Sequence, residues 1–163
     1  MNQLLSLRLD GDEGLLQKTE DFKEITREDR QLAVDMLKLM KENGGVGLSA
    51  NQVGVNKSLL VASYGKYTFV MFNPVLLKAA GGYVKDIEGC LSLPNVVDEV
   101  VRAESVQIKY MNSKGEIMIR WFSGAIGRIL QHELSHLAGR RWLDETVTEI
   151  KKNRELQQKS SES

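Results

Sequence analysis

Leu32, Met36, Leu39 and Met40 recur at the three- and four-residue steps of one helix face, which predicts a helix from Thr26 to about Glu42. Thr26 followed by Asp29 has the form of an N-terminal capping pair. Asn43-Gly44-Gly45 ends the helix, since glycine accepts the left-handed backbone common just past a helix end. The methionines on this face read as core packing.

The pattern then turns to β-rich runs. Ser58 to Tyr64 and Tyr67 to Phe72 flank Gly65-Lys66, a two-residue hairpin turn. Val96 to Val101 and Ser105 to Met111 read as two further strands, and Asn112-Ser113-Lys114-Gly115 turns the chain into a strand over Glu116 to Phe122. A second helix runs from about Ser123, read as its N-cap, to Leu137, with Gly139 closing it. A short charged helix follows from about Thr146 to Gln157, and the stretch from Gln157 to Ser163 reads as a frayed polar tail. Strands gathered in the middle with helices at the ends argue for an α+β fold.

Composition narrows the class. The 163 residues are 42% hydrophobic and 27% charged, an ordinary balance for one globular domain over residues 1–163 with a short tail from about 157. Lys plus Arg equals Asp plus Glu at 22 each, so no large basic field exists for nucleic acid or membrane surface. A single cysteine forms no internal disulfide and suits a reducing compartment. Met1-Asn2-Gln3-Leu4-Leu5-Ser6-Leu7-Arg8 shows no basic leader with a long apolar core, and no apolar run approaches the ~20 residues of a membrane span. A cytoplasmic location is the expectation.

The chain has only two histidines, in His132-Glu133-Leu134-Ser135-His136. This is the H-E-x-x-H pattern, in which an i, i+4 spacing puts two imidazoles on one helix face, able to share a metal ion. Roughly 1 in 80 random placements of two histidines would fall four apart, before the glutamate is required, so a chance surface or core pair is the weaker reading. The single cysteine sits in Glu88-Gly89-Cys90-Leu91-Ser92. Alone it reads as a small buried hydrophobe. Beside a two-histidine site it becomes the third ligand, and Cys90, His132 and His136 then leave a fourth position open to water, as catalytic sites do. A closed, purely structural site would need an added carboxylate. Glu133 is the natural proton shuttle for that water.

Gly45-Val46-Gly47-Leu48-Ser49-Ala50-Asn51-Gln52-Val53-Gly54 lacks the register of a phosphate-cradling loop. It reads either as a plain turn or as a segment whose Gln52 amide donates to an oxyanion.

Gly45 to Gln52, Glu88 to Ser92 and Gln131 to Leu137, in this order and spacing, resemble the three motifs of the peptide deformylase family, over about residues 26 to 144. The resemblance implies mixed, mainly antiparallel β-sheets around a central helix carrying H-E-x-x-H. It implies a hydrolase that removes the formyl group from the N-terminal formyl-methionine of nascent polypeptides. Cys90, His132 and His136 would hold one divalent ion, Fe2+ by preference, with Zn2+, Ni2+ or Co2+ able to substitute. Glu133 would be general base and acid; Gln52 and the backbone N–H of Leu91 would stabilise the oxyanion. Val46 and Gly47 would line the cleft and pair an extended peptide, while Arg102 and Gln131 would stand behind the ligands. The implied partners are N-formyl-methionyl peptides and nascent chains, with no direct nucleic-acid or membrane binding; Lys151, Lys152 and Arg154 read first as a solvated helix face and second as a weak ribosome-docking patch.

The chain departs from the family pattern at several points. Ser49 stands for an alanine, adding a hydroxyl, and Ser135 stands for the usual aspartate, so the arginine at 102 is expected to lose its acid and the metal to be held more weakly. Asn95-Val96-Val97-Asp98-Glu99 lacks a basic residue common there, and Asp86 is polar where an apolar pocket residue is usual. Two rivals remain: a metalloprotease taking its third ligand from Glu145 or Glu149, and a non-catalytic metal-binding domain.

Overall fold

The computed structural model describes residues 4–161. Met1 to Gln3, part of the stretch read for a leader, and Glu162 and Ser163, the end of the expected tail, lie outside it.

The first helix, α1 (Arg27–Glu42), has the expected ends. Asp29 N–H donates to Thr26 Oγ at 3.2 Å while Thr26 N–H donates to Asp29 Oδ2 at 2.8 Å, a reciprocal capping box. At the other end Gly44 adopts φ 68°, letting Gly44 N–H reach the Lys41 carbonyl at 3.1 Å and Gly45 N–H the Met40 carbonyl at 2.9 Å.

Five antiparallel strands follow in meander order: β1 (Gly47–Ser49), β2 (Leu59–Tyr64), β3 (Tyr67–Cys90), β4 (Leu93–Met111) and β5 (Ile117–Ser123). The β2–β3 hairpin closes through Gly65-Lys66, with Tyr64 opposite Tyr67. The two strands expected over 96–101 and 105–111 are one continuous strand, β4. Arg102 interrupts the apolar pattern, yet its buried guanidinium is paired, so the ladder runs through it. β3 also runs on past Phe72 to Cys90, where Pro74 and Gly81-Gly82 hide it from pattern reading and register shifts mark each irregularity.

β2 is buried on both faces, and its alternation divides the core in two. Leu59 and Val61 pack with Met36 and Met40 of α1, while Leu60 and Ala62 pack with Leu130 and Leu137 of the next helix. That helix, α2 (Gly124–Leu137), carries H-E-x-x-H and lies across β1, β2, β4 and β5. Close approach to the sheet requires Gly127, where an added Cβ would stand 2.8 Å from the Phe122 carbonyl oxygen. Each fully buried Leu or Met side chain contributes about 1.5–3 kcal/mol to this packing. Ser123 precedes α2 but makes no side-chain cap; its hydroxyl instead meets Ser105 Oγ at 2.6 Å.

The last helix, α3 (Val147–Ser161), replaces the expected fray: the chain beyond Gln157 stays helical to Ser161. Thr146 Oγ accepts from Glu149 N–H at 3.3 Å at its start, and none of its residues is buried. No helix among the described residues is long and apolar enough to cross a membrane.

Candidate metal centre

α2 and the end of β3 together bring three ligand-type atoms into one point. His132 and His136 are one turn apart, with their Nε2 atoms 3.1 Å from each other. Cys90, the last residue of β3, places Sγ 3.2 Å from His136 Nε2, and the three donor atoms lie within 4.8 Å of one another. Tetrahedral coordination by two imidazoles and a thiolate at ordinary bond lengths requires donor separations of about 3.3–3.6 Å. The cluster therefore fits a single ion with small adjustment. Among the described residues no carboxylate joins it, so the downstream ligand of a metalloprotease is missing: Glu145 turns to Arg102 and Glu149 to Lys152.

Behind the three donor atoms sits a hub centred on Glu88, with Arg102 among its members. Glu88 lies on the face of β3 that meets α2, and its Oε2 is 2.9 Å from His132 Nδ1, which turns His132 Nε2 toward the other donors. Arg102 grips Glu88 through two parallel bonds, Nε to Oε1 and Nη2 to Oε2, both 2.9 Å. Arg128 Nη1 donates to Oε1 at 2.8 Å, and Trp142 Nε1 to Oε2 at 3.2 Å. The expected loss of an acid beside Arg102 does not occur. Besides Glu88, Arg102 Nη1 reaches Glu145 Oε2 at 3.0 Å, a carboxylate supplied from beyond α2, and Ser135 Oγ lies only at the margin, 3.4 Å away. Gln131 also differs from expectation: its amide bonds the Ala103 N–H and carbonyl, both at 2.9 Å, pinning α2 to β4.

Burial and pairing set the charges. Burial opposes ionisation of Glu88, but His132 and Arg102 outweigh it and hold the carboxyl far below its ordinary 4.5. For His132, burial disfavours the imidazolium, yet hydrogen bonds to Cys90 and Glu88 raise it to about 10. His136 goes the other way, to about 3, through burial and the charge on His132. Without an ion, the pair thus shares a single positive charge. Glu133 is raised chiefly by burial, against the pull of His132 and of the Ser49 hydroxyl.

Toward solvent the centre opens into a cleft of about 750 Å³, lined among others by Val46, Gly47, Gln52, Leu91, His132 and Glu133. Glu133 is buried at 3% exposure; Ser49 Oγ–H donates to its Oε2 at 2.6 Å, and its Oε1 lies against Gly47, where an added Cβ would be 2.5 Å away. Gln52 stands in a 3-10 turn (Ala50–Val53) directly after β1. Its Oε1 accepts from Ser49 N–H at 2.9 Å, and its Nε2 donates to Ser92 Oγ at 3.0 Å beside Cys90 Sγ at 3.6 Å. Leu91 occupies the two-residue turn between paired Cys90 and Leu93, and Val46 is held by Ser63 N–H on its carbonyl at 2.8 Å. Asp86 lines the same cleft, with its carboxylate on the Ile87 N–H at 2.8 Å. Of the residues expected to act on metal or substrate, Val46, Gly47, Gln52, Cys90, Leu91, His132 and Glu133 share one cleft, while His136 stands behind it. The sequence did not point to Glu88, Arg128, Trp142 and Glu145 as a set. Glu88 had a signal as the first residue of the Glu88–Ser92 motif, and Glu145 was considered only as a possible ligand.

Residues 4–153 match the family described as Polypeptide deformylase, a longer stretch than the 26–144 seen in the motifs. A peptide deformylase of Desulfitobacterium hafniense is 38% identical over 134 residues, covering 82% of this chain and 89% of that protein. One from Carboxydothermus hydrogenoformans is 38% identical over 144 residues, covering 88% and 94%. A crystal structure of a peptide deformylase from Synechococcus elongatus, in complex with actinonin, superposes with a TM-score of 0.87 at 34% identity, covering 98% of this chain and 88% of that one.

Proposed function

Because the chain belongs to the polypeptide deformylase family, a metal-dependent group of enzymes, we propose that Cys90, His132 and His136 hold its divalent ion and that Glu133 moves the proton of the reaction. The chain is a hydrolase that removes the formyl group from the N-terminus of nascent polypeptides. The observation that carries the residue assignment is the convergence of one thiol and two imidazole nitrogens at the inner end of an open cleft, which Cys90 and His132 line, with the buried Glu133 carboxylate beside them.

When bound, the ion supplies a Lewis acid for the formyl carbonyl and an acidified water. Glu133 Oε1, on the Gly47 side, takes a proton from the attacking water and delivers it to the leaving amine nitrogen as the C–N bond breaks and formate departs. Gln52 Nε2 and the Leu91 N–H donate to the carbonyl oxygen as it gains charge. β1 is an edge of the sheet, so an extended peptide adds beside Val46 and Gly47, where the missing side chain at 47 keeps the approach to Glu133 open. Fe2+ is the proposed native ion, taken from the family resemblance, and the two-imidazole, one-thiolate donor set equally accepts Zn2+, Ni2+ or Co2+. We place the enzyme in the cytoplasm as one domain, meeting formyl-methionyl chains at the ribosome through the exposed Lys151, Lys152 and Arg154 of α3.

Anaerobically prepared iron- or nickel-loaded protein should release formate from a formyl-methionyl peptide, and Glu133→Ala at equal metal content should cut kcat by about 10²–10⁴-fold. Full metal occupancy without formate release would overturn the assignment. Tight metal binding that survives Cys90→Ala would move the third ligand elsewhere.

A further inference from the structure

We propose that the Ser49 hydroxyl is a positioning group for Glu133, locking the carboxylate so that one oxygen is committed to the protein and the other is presented to the cleft. The proposal rests on the role given to Glu133 above. Ser49 is fully buried between the end of β1 and α2, and its Oγ lies 2.6 Å from Glu133 Oε2 and 3.1 Å from the Glu133 backbone carbonyl. A hydroxyl carries a single proton, and the shorter of the two contacts, the one to Oε2, takes it. Oε2 is then occupied. Oε1 is held toward Gly47 and the cleft, the orientation a proton shuttle needs.

The same residue sets the neighbouring amide through a different group. Ser49 N–H donates to Gln52 Oε1 at 2.9 Å, which leaves Nε2 as the end facing Ser92 and Cys90. That backbone bond would be made by any residue at 49, whereas the bond to Glu133 needs a hydroxyl. Substitution by alanine therefore separates the two: Gln52 keeps its orientation and Glu133 loses its restraint. The volume change is one oxygen atom, so the packing of β1 against α2 is hardly altered.

The test compares metal-loaded wild type, Ser49→Ala and Ser49→Thr on a formyl-methionyl peptide, with metal content and Tm measured on each preparation. Ser49→Ala should lower kcat by about tenfold, the scale of one hydrogen bond to a charged group, with KM within about twofold and metal content unchanged. Ser49→Thr, which restores a hydroxyl, should recover most of the loss. Independently of turnover, a high-resolution crystal structure of metal-free Ser49→Ala should show the Glu133 carboxylate in more than one orientation, against one in wild type. An unchanged kcat in Ser49→Ala, a single unaltered Glu133 orientation, or a loss that merely follows falling metal content or Tm would overturn the proposal. An inactive but metal-replete wild type would instead overturn the role of Glu133 itself.

Discussion

The two sides of the histidine pair are built on opposite principles. Behind His132, Glu88, Arg102, Arg128 and Glu145 saturate one another, so that buried charges of both signs meet directional partners. In front, Glu133 and Gln52 line the cleft with one end each fixed by Ser49; Glu133 Oε1 lies toward Gly47, and Gln52 Nε2 rests on Ser92 Oγ beside Cys90. A carboxylate taken out of water is costly unless paired, so the rear network turns a liability into rigidity. The front keeps its spare valence for a ligand. Two buried glutamates one residue from a histidine or bonded to it thus end with opposite acidities, Glu88 far below its ordinary value and Glu133 above it.

Breaking the rear should have the largest effect. Glu88→Ala leaves the buried Arg102 and the half-buried Arg128 short of a partner and frees the His132 ring. It should destabilise the metal-free protein by about 3–5 kcal/mol, measured by denaturant unfolding, and speed metal loss to a chelator about 10–100-fold. Breaking the front should leave the fold intact and damage turnover. In Gly47→Ala the new methyl meets Glu133 Oε1 at 2.5 Å, so kcat/KM should fall about 10²-fold while Tm moves little.

Acidity sharpens the contrast. His132, raised to about 10, must shed its proton to ligate, whereas His136, lowered to about 3, is already neutral near pH 7. Metal affinity should therefore weaken as pH falls, by about tenfold per unit from the His132 proton alone, in competition with a chelator corrected for its own protonation. A flat profile between pH 6 and 8 would contradict this charge distribution. The smallest effect is expected at position 135. Because Glu145 already meets Arg102, Ser135→Asp adds a surplus carboxylate and should change metal occupancy after dialysis by less than about twofold.

That last expectation reverses what the sequence suggests, and the reason is spatial. An acid missing from one turn of α2 is supplied ten positions later in the chain, from a segment that no motif connects to Arg102. The ends of α1 were legible because caps are local: Thr26 and Asp29, or Met40 and Gly45, are near neighbours in sequence. The shared helix face of His132 and His136 follows from spacing alone. The outer half of β3 was not legible, since residues 75–87 are exposed and impose no alternation on the side chains. α3 beyond Gln157 was missed for the same reason, being a helix that buries nothing. Ser49 could be seen as an added hydroxyl, but its partner lies 84 residues away.

The turn at Leu91-Ser92 joins Cys90 to Leu93 directly, so partners on the near end of the β3–β4 ribbon are close along the chain. Glu88 and Arg102 are 14 residues apart, whereas Cys90 and His136 are 46 apart. Closing the shorter loop costs less chain entropy, and local contacts form sooner. The thiol and the ion pair therefore lie on one hairpin of short sequence separation, whereas the imidazoles come from a distant stretch of chain. An ion held at this centre would tie the hairpin to the helix across that long separation, so its retention would depend on both being in place.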